Sequence, residues 1–205
     1  MSLKVAILPA ALIPEAVDVL ASAFIHDPVF SFYFPDQSMR NAVFKIFFDD
    51  IARSHHRFGQ VYGAFLDDVL IGTAVWRPPD AAAPNWSDRL RTTIAEFRLR
   101  RLSRAATDNV LEGFAGLGPL HPSEPHWYLF FVGIKLSLRG HGHGAQLLAP
   151  VLDIADRTQR LCYLETPFPE THPFYHGLAF EITREGHFFK GAPTVWTMTR
   201  SPKAL

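Results

Sequence analysis

Trp127-Tyr-Leu-Phe-Phe-Val-Gly-Ile134, Lys135-Leu-Ser-Leu138, Arg139-Gly-His-Gly-His-Gly144 and Ala145-Gln-Leu-Leu148 form one continuous stretch of this 205-residue chain. It reads as a buried strand, a glycine-rich turn and the opening of a helix. Glycines at 140, 142 and 144 remove the side chains that would hold backbone N–H groups away from a bulky anion. The helix adds unpaired amides and the positive end of its dipole. Such a turn suits a pyrophosphate.

The glycines alone leave two kinds of pyrophosphate ligand open. Gly140-x-Gly142-x-x-Ala145 fits a relaxed dinucleotide fingerprint, and Glu165 follows at about the distance of a ribose-binding acid. A dinucleotide fold, however, needs further parallel strands and crossover helices after its fingerprint, and only 40 residues follow Glu165. Arg139-Gly140-His141-Gly142-His143-Gly144 resembles the (Gln/Arg)-x-x-Gly-x-(Gly/Ala) signature of the GCN5-related N-acetyltransferases, the GNAT superfamily. Downstream, Leu164-Glu-Thr166, Pro173-Phe-Tyr175 and Ala179-Phe180 resemble the same family's strand ending in Glu, helix carrying Phe-Tyr, and closing Gly-Phe. The two segments together cover residues 127–181.

The resemblance implies an α/β fold: a mixed, mostly antiparallel central sheet with one splayed parallel strand pair and helices on both faces. Residues 1–205 are expected to form a single acetyltransferase domain. The resemblance also implies acetyl-CoA as co-substrate, held by Arg139, Gly140, His141, Gly142, His143, Gly144 and Ala145 around its diphosphate. Backbone groups of Val132, Gly133 and Ile134 would pair with the pantetheine arm, beside Thr171. Tyr175 takes the role of an acid that protonates the leaving thiolate, because a phenol with a pKa near 10 keeps its proton at neutral pH. Glu165 takes the role of a general base, with Glu170, His172 and His176 in reserve. Four positions depart from the family pattern. Thr171 stands where many members carry Asn, Ala179 replaces the Gly before Phe180, and Lys135-Leu136 replaces a frequent Asp-Pro.

Composition sets the remaining bounds. The chain is 48% hydrophobic with 18 Phe and 4 Trp, enough for a substantial core. Lys plus Arg and Asp plus Glu are 20 each, so no global field draws the protein to nucleic acid or an anionic membrane. One cysteine, Cys162, excludes an intramolecular disulfide framework and suits a reducing compartment; a cytoplasmic location is expected. On a strand Cys162 points opposite to Glu165 and is expected to be a buried apolar residue rather than a nucleophile. The ten histidines include His55-His56, His121 with His126, and His141 with His143, in none of the common zinc spacings, and no metal is expected. No apolar run reaches the length needed to span a bilayer, and the run Val5–Ile13 is broken by Pro9.

Outward from the central stretch, periodicity predicts a strand at 4–8, a helix at 15–24, a helix at 39–57, and a hairpin of 60–66 and 69–77 across Asp67-Asp68. Residues 80–118 read as a helical insertion before the cofactor strand. There Trp86, Leu90, Ile94 and Phe97 recur at near-helical intervals among arginines from Arg89 to Arg104, as apolar anchors or as one wall of a cleft. Strands are expected at 161–165, 181–189 and 194–199, and a helix at 144–157. The loop Asp27–Pro35, with Phe30, Phe32, Tyr33 and Phe34, either lines an acceptor pocket or packs in the core.

The function expected from these residues is acetyl transfer to a primary amine of a small molecule by direct attack in a ternary complex. A noncatalytic CoA-binding protein, a peptide or protein N-acetyltransferase and, more remotely, a dinucleotide-dependent oxidoreductase remain as alternatives. A homodimer is left open.

Overall fold

The computed structural model describes residues 2–187 and 191–204. Its strands are β1 (Leu3–Ile7), β2 (Val61–Leu66), β3 (Val69–Arg77), β4 (Trp127–Ile134), β5 (Cys162–Thr166), β6 (Glu181–His187) and β7 (Thr194–Arg200). They form one sheet in the order β1-β2-β3-β4-β5-β7-β6. Every neighbouring pair is antiparallel except β4 and β5, which run parallel. Residues 188 and 189, expected to end the sixth strand, lie outside the described residues.

The hairpin turns at Asp67-Asp68, where both residues take positive φ, 48° and 63°. That backbone twist matches the twist of the flanking strands, and Asp tolerates it better than most side chains. Ala179 also adopts φ 65°. This is the position where the family pattern carries Gly, and an alanine Cβ is strained in that region.

The helices are α1 (Ile13–Phe24), α2 (Pro28–Tyr33), α3 (Gln37–His56), α4 (Trp86–Leu102), α5 (Arg104–Leu117), α6 (His143–Arg157) and α7 (His172–His176). The short α2 was not expected from periodicity. Asp27 nucleates it by accepting the Phe30 N–H at 2.9 Å, and Pro28 stands at its first turn, where no N–H is required. Asp36 caps α3 by accepting the Ser38 N–H, so that helix begins two residues earlier than its apolar stripe suggests. Buried Arg40 then donates to the carbonyls of Ile25, Phe34 and Pro35, fixing the chain that enters α3.

Core packing splits by sheet face. One face carries α6, whose Leu147, Leu148, Val151, Leu152 and Ala155 are buried against residues that include Trp76, Leu129, Cys162 and Leu164. Cys162 lies in this cluster, and burial pushes its thiol pKa up to about 12. The other face packs α1 and α3 through a set of phenylalanines, with Phe24, Phe30, Phe47 and Phe131 all meeting the ring of Phe48.

α4 reverses the expected orientation of its apolar stripe. Asn85 and Asp88 close a capping box at its start. Trp86, Leu90, Ile94 and Phe97 are 78%, 53%, 50% and 59% exposed, so they do not anchor the helix. The inward face instead carries Asp88, Ala95 and Leu99, with Arg91 bridging Asp50 of α3 at 3.1 Å and Asp88 at 2.9 Å. Asp50 and Asp88 are both buried, and two carboxylates held out of water need cations, so the polar face docks.

Two stability outcomes follow. Phe48→Ala empties the centre of the aromatic cluster and is expected to lower unfolding free energy by about 3–5 kcal/mol in urea titrations. Ala179→Gly is expected to raise it by about 0.5–1 kcal/mol, because it relieves a left-handed alanine; a loss of stability there would mean that the alanine is unstrained.

Candidate active site

The site begins where β4 and β5 stop pairing. Trp127 N–H donates to Leu161 O at 2.9 Å, and the parallel register runs through Trp127 with Cys162 and Tyr128 with Tyr163 before it ends. β4 continues along β3, which leaves its other edge open from Leu129 onward. A one-residue bulge opposite Val75 and Trp76 puts Phe130 and Phe131 into the same cluster, on the α1 and α3 side.

Strand alternation identifies the open amides. Lys135 N–H donates to Ile71 O at 2.8 Å, so Lys135 and Gly133 direct their backbone groups toward β3, and Val132 and Ile134 direct theirs into the gap. Gly133, expected among the backbone partners of the ligand, therefore has a steric role. A Cβ there would lie 2.8 Å from the Ala23 Cβ, so its absence lets α1 press against β4.

A cavity of about 630 Å³ fills the gap. At one end the glycine-rich turn reaches α6. Gly140 and Gly142 have φ of 80° and 77°, and nothing lies within 4 Å of where their Cβ atoms would be. Gly142 is the N-cap residue and no side chain caps the helix. Gln146 N–H to Gly142 O is the first bond of α6, so the amides of His143, Gly144 and Ala145 have no partner within the helix. His143 lines the cavity, with its Nδ1 buried and without a partner among the described residues. This donor cradle fits a diphosphate.

Of the residues expected at the turn, Arg139, Gly140, Gly142, His143 and Gly144 line the cavity, whereas His141 and Ala145 do not. His141 bonds Arg139 O at 2.9 Å and stacks on His143. Arg139 donates to Ile134 O and Ala23 O, which ties the turn to β4 and α1. Thr171 lines the wall, but its hydroxyl is engaged with Phe168 O and Thr166 Oγ1.

Glu165 lies in the wall with its carboxylate largely buried. Burial pushes its pKa up to about 7, and the nearby Tyr163 and Tyr128 phenols only partly oppose this. Neither closes a well-formed bond to Glu165 Oε1, which is buried and without a hydrogen-bond partner among the described residues, as is the Tyr163 hydroxyl. His121 Nε2 stands 3.5 Å from Glu165 Oε1. Tyr175, from α7, lines the same cavity, and burial raises its phenol above the ordinary value. Buried carboxylic acid and neutral phenol thus share one chamber.

The remaining candidates divide. Glu170 lines the cavity, but His172 packs edge-on against Trp196, and exposed His176 faces Glu181 at 3.8 Å; neither lines it. Asp27 and Phe30 are in the wall, whereas Tyr33 and Phe34 are buried in the core and Phe32 is 43% exposed. Asp27 is buried, and burial pushes its carboxyl up to about 6. Periodicity missed His121, Tyr128 and Tyr163, which surround Glu165. The one available signal was alternation: Tyr163 shares the face of Glu165 on its strand. From the helical segment at 86–117, Phe114 and Leu117 of α5 reach the wall.

The acetyltransferase (GNAT) family model matches residues 80–180. Among solved structures, the chain is similar to a protein described as histone acetyltransferase HPA2 and related acetyltransferase from Corynebacterium glutamicum. The identity is 23% and the TM-score 0.70, over 100% of this chain and 99% of that one. It is also similar to the PaiA N-acetyltransferase of Thermoplasma acidophilum in complex with coenzyme A, at 12% identity and TM-score 0.62, over 98% and 99% of the two chains. A mosquito arylalkylamine N-acetyltransferase like 5b matches at 14% identity and TM-score 0.56, over 98% and 100%. The mixed, mostly antiparallel sheet with one parallel pair is common ground with these proteins.

The raised carboxyl of Glu165 has a thermodynamic signature. Its folded pKa, about 7, exceeds the ordinary 4.5, so the folded state holds this proton more tightly, and stability is lost as pH rises from the lower value through the higher. Glu165→Gln removes the loss. Relative to the wild type, the variant is expected to gain on the order of 3 kcal/mol in unfolding free energy between acid and pH ~8. Parallel pH profiles of denaturation for the two proteins would mean the carboxylate is solvated.

Proposed function

Because the chain belongs to the acetyltransferase (GNAT) family, we propose that it moves the acetyl group of acetyl-CoA to a primary amine of a small molecule, by direct attack in a ternary complex. The observation that carries this reading is the convergence on one cavity of an uncapped glycine turn, a free strand edge, a buried carboxyl and a buried phenol.

In this reading the amides of His143 and Gly144 bind the diphosphate oxygens, and the helix dipole adds to the attraction. Val132 and Ile134 hydrogen-bond the pantetheine amides as a missing strand would. One of those N–H groups faces the thioester oxygen and stabilises the charge that develops there. Glu165 takes a proton from the acceptor ammonium, which must be neutral to attack, and a carboxyl titrating near neutrality suits that transfer. Tyr175 gives its proton to the departing sulfur. Its raised pKa keeps it protonated and excludes a role as base at neutral pH.

The acceptor binds between Asp27 and Phe30 of the α2 region, Phe130 of β4, and Phe114 and Leu117 of α5. Apart from Asp27 these walls are apolar and aromatic, which favours a compact amine over a polypeptide. We take residues 1–205 as one domain, with 80–118 inserted as part of the acceptor wall, and assign the protein to the cytoplasm, where its lone buried thiol stays reduced.

Thiol release from acetyl-CoA across a panel of small amines and short peptides tests this. Small amines are expected to give the highest kcat/KM. Tyr175→Phe is expected to lower kcat by ~100-fold with CoA affinity retained. CoA binding without turnover of any amine, unchanged by that substitution, would identify a binding protein instead.

A further inference from the structure

A backbone carbonyl fixes the direction of a hydrogen-bond chain that ends at Glu165. His126 Nδ1 lies 2.8 Å from Glu124 O. A carbonyl only accepts, so that nitrogen carries the hydrogen, and in the neutral ring Nε2 is bare. His121 Nδ1 lies 3.0 Å from His126 Nε2 and must therefore donate to it. His121 Nε2 is left as an acceptor, and it faces Glu165 Oε1 at 3.5 Å. The group that fits there is a protonated carboxyl. The separation exceeds a closed hydrogen bond.

Exposure rises along the chain. The side chains of Glu165 and His121 are 7% and 24% exposed, and the His126–Glu124 bond lies at the surface. Titratable and charged groups from several neighbouring elements face the pair. Burial, then His126, then Arg77 at the end of β3 push His121 down to about 4, and burial pushes Glu165 up to about 7. Tyr128 of β4 and Tyr163 of β5 pack on the His121 ring at 4.7 and 4.5 Å, and both phenols stay protonated. Arg184 of β6 acts on Tyr163. The two histidines bracket a short loop, His121-Pro-Ser-Glu-Pro-His126, whose prolines restrict its backbone.

We infer that His121 and His126 are the path by which the proton taken up by Glu165 leaves for solvent, an inference that rests on the acetyl-transfer reading above. Bound substrates occupy the cavity whose wall Glu165 forms, so water cannot take its proton from that side, yet the carboxyl must shed one proton per turnover. The amine N–H bond breaks as the Glu165 O–H bond forms. That proton passes to His121 Nε2, the His121 Nδ1 proton passes to His126 Nε2, and the resulting imidazolium gives its Nδ1 proton to water. One proton moves from amine to solvent, and nothing is oxidised or reduced. Each ring ends with its hydrogen on the opposite nitrogen, and tautomer exchange resets the chain.

The test uses the full-length protein, acetyl-CoA and the best amine from the panel. His121→Ala is expected to lower kcat by ~10–100-fold with KM for acetyl-CoA nearly unchanged, and imidazole in the medium is expected to restore several-fold of the loss. His126→Gln is expected to lower kcat by a smaller factor, with a rate that rises with buffer concentration. A purely structural role predicts neither rescue. Unchanged kcat in His121→Ala, or a loss that imidazole and buffer leave untouched in a folded variant with intact CoA affinity, overturns the relay and leaves acetyl transfer standing. If His121→Ala does not fold, ring-nitrogen NMR of the wild type decides. Hydrogens on Nδ1 of both residues support the relay, and a hydrogen on His121 Nε2 at neutral pH overturns it. A wild-type protein that binds CoA and acetylates no amine removes the functional reading, and the relay with it.

Discussion

Everything at the site depends on β4 leaving β5 after two residue pairs. β4 is held on its other side by β3 along its length, and α1 is packed on it closely enough that position 133 has no room for a side chain. The bulge at Phe130 turns two consecutive rings toward the α1 and α3 cluster. With its backbone fixed from those directions, β4 cannot bend to follow β5. The gap that results contains the strand edge, the mouth of the glycine turn and the two acidic side chains. Unpaired backbone groups in a largely apolar chamber are unfavourable in isolation, which is why a ligand with its own amides fits there.

The same separation buries Glu165. A carboxyl in this position destabilises the folded protein when ionised, and the surroundings make little attempt to correct it, since the nearest cationic candidate, His121, is itself held neutral. Contrast Asp88, whose carboxyl stays below its usual range through Arg91, the Asn85 amide and Arg57, or Asp156, gripped by Arg200 through two bonds of 2.7 Å. Asp88 and Asp156 are paired with arginine, whereas Glu165 has no arginine beside it among the described residues. A group left unpaired at an energetic cost is a group poised to exchange protons.

α4 illustrates where local pattern misleads. Its apolar residues recur at helical spacing, and the helix forms where that spacing and the Asn85 cap indicate. Which face turns inward was settled by the buried carboxylates of Asp50 and Asp88, partners from two different helices that a periodicity argument cannot weigh. α2 is the opposite case. Its signal, an Asp followed by Pro, was local but too short to compete with an aromatic run that reads equally well as loop or core.

The sequence by itself determined the glycine-rich turn between strand and helix, the order of the strands around it, the hairpin at Asp67-Asp68 and the pairing of Glu165 with Tyr175 as candidates. Glycine spacing, alternation and capping act through neighbours along the chain, and those are written in order. Only the tertiary structure decided that Gly133 makes room for α1 rather than facing the gap, that Tyr33 and Phe34 pack in the core, and that His121 and His126 stand beside Glu165. These facts follow from contacts between segments distant in sequence, and from the strength of burial at one carboxyl, quantities that exist only once the sheet has brought those segments together.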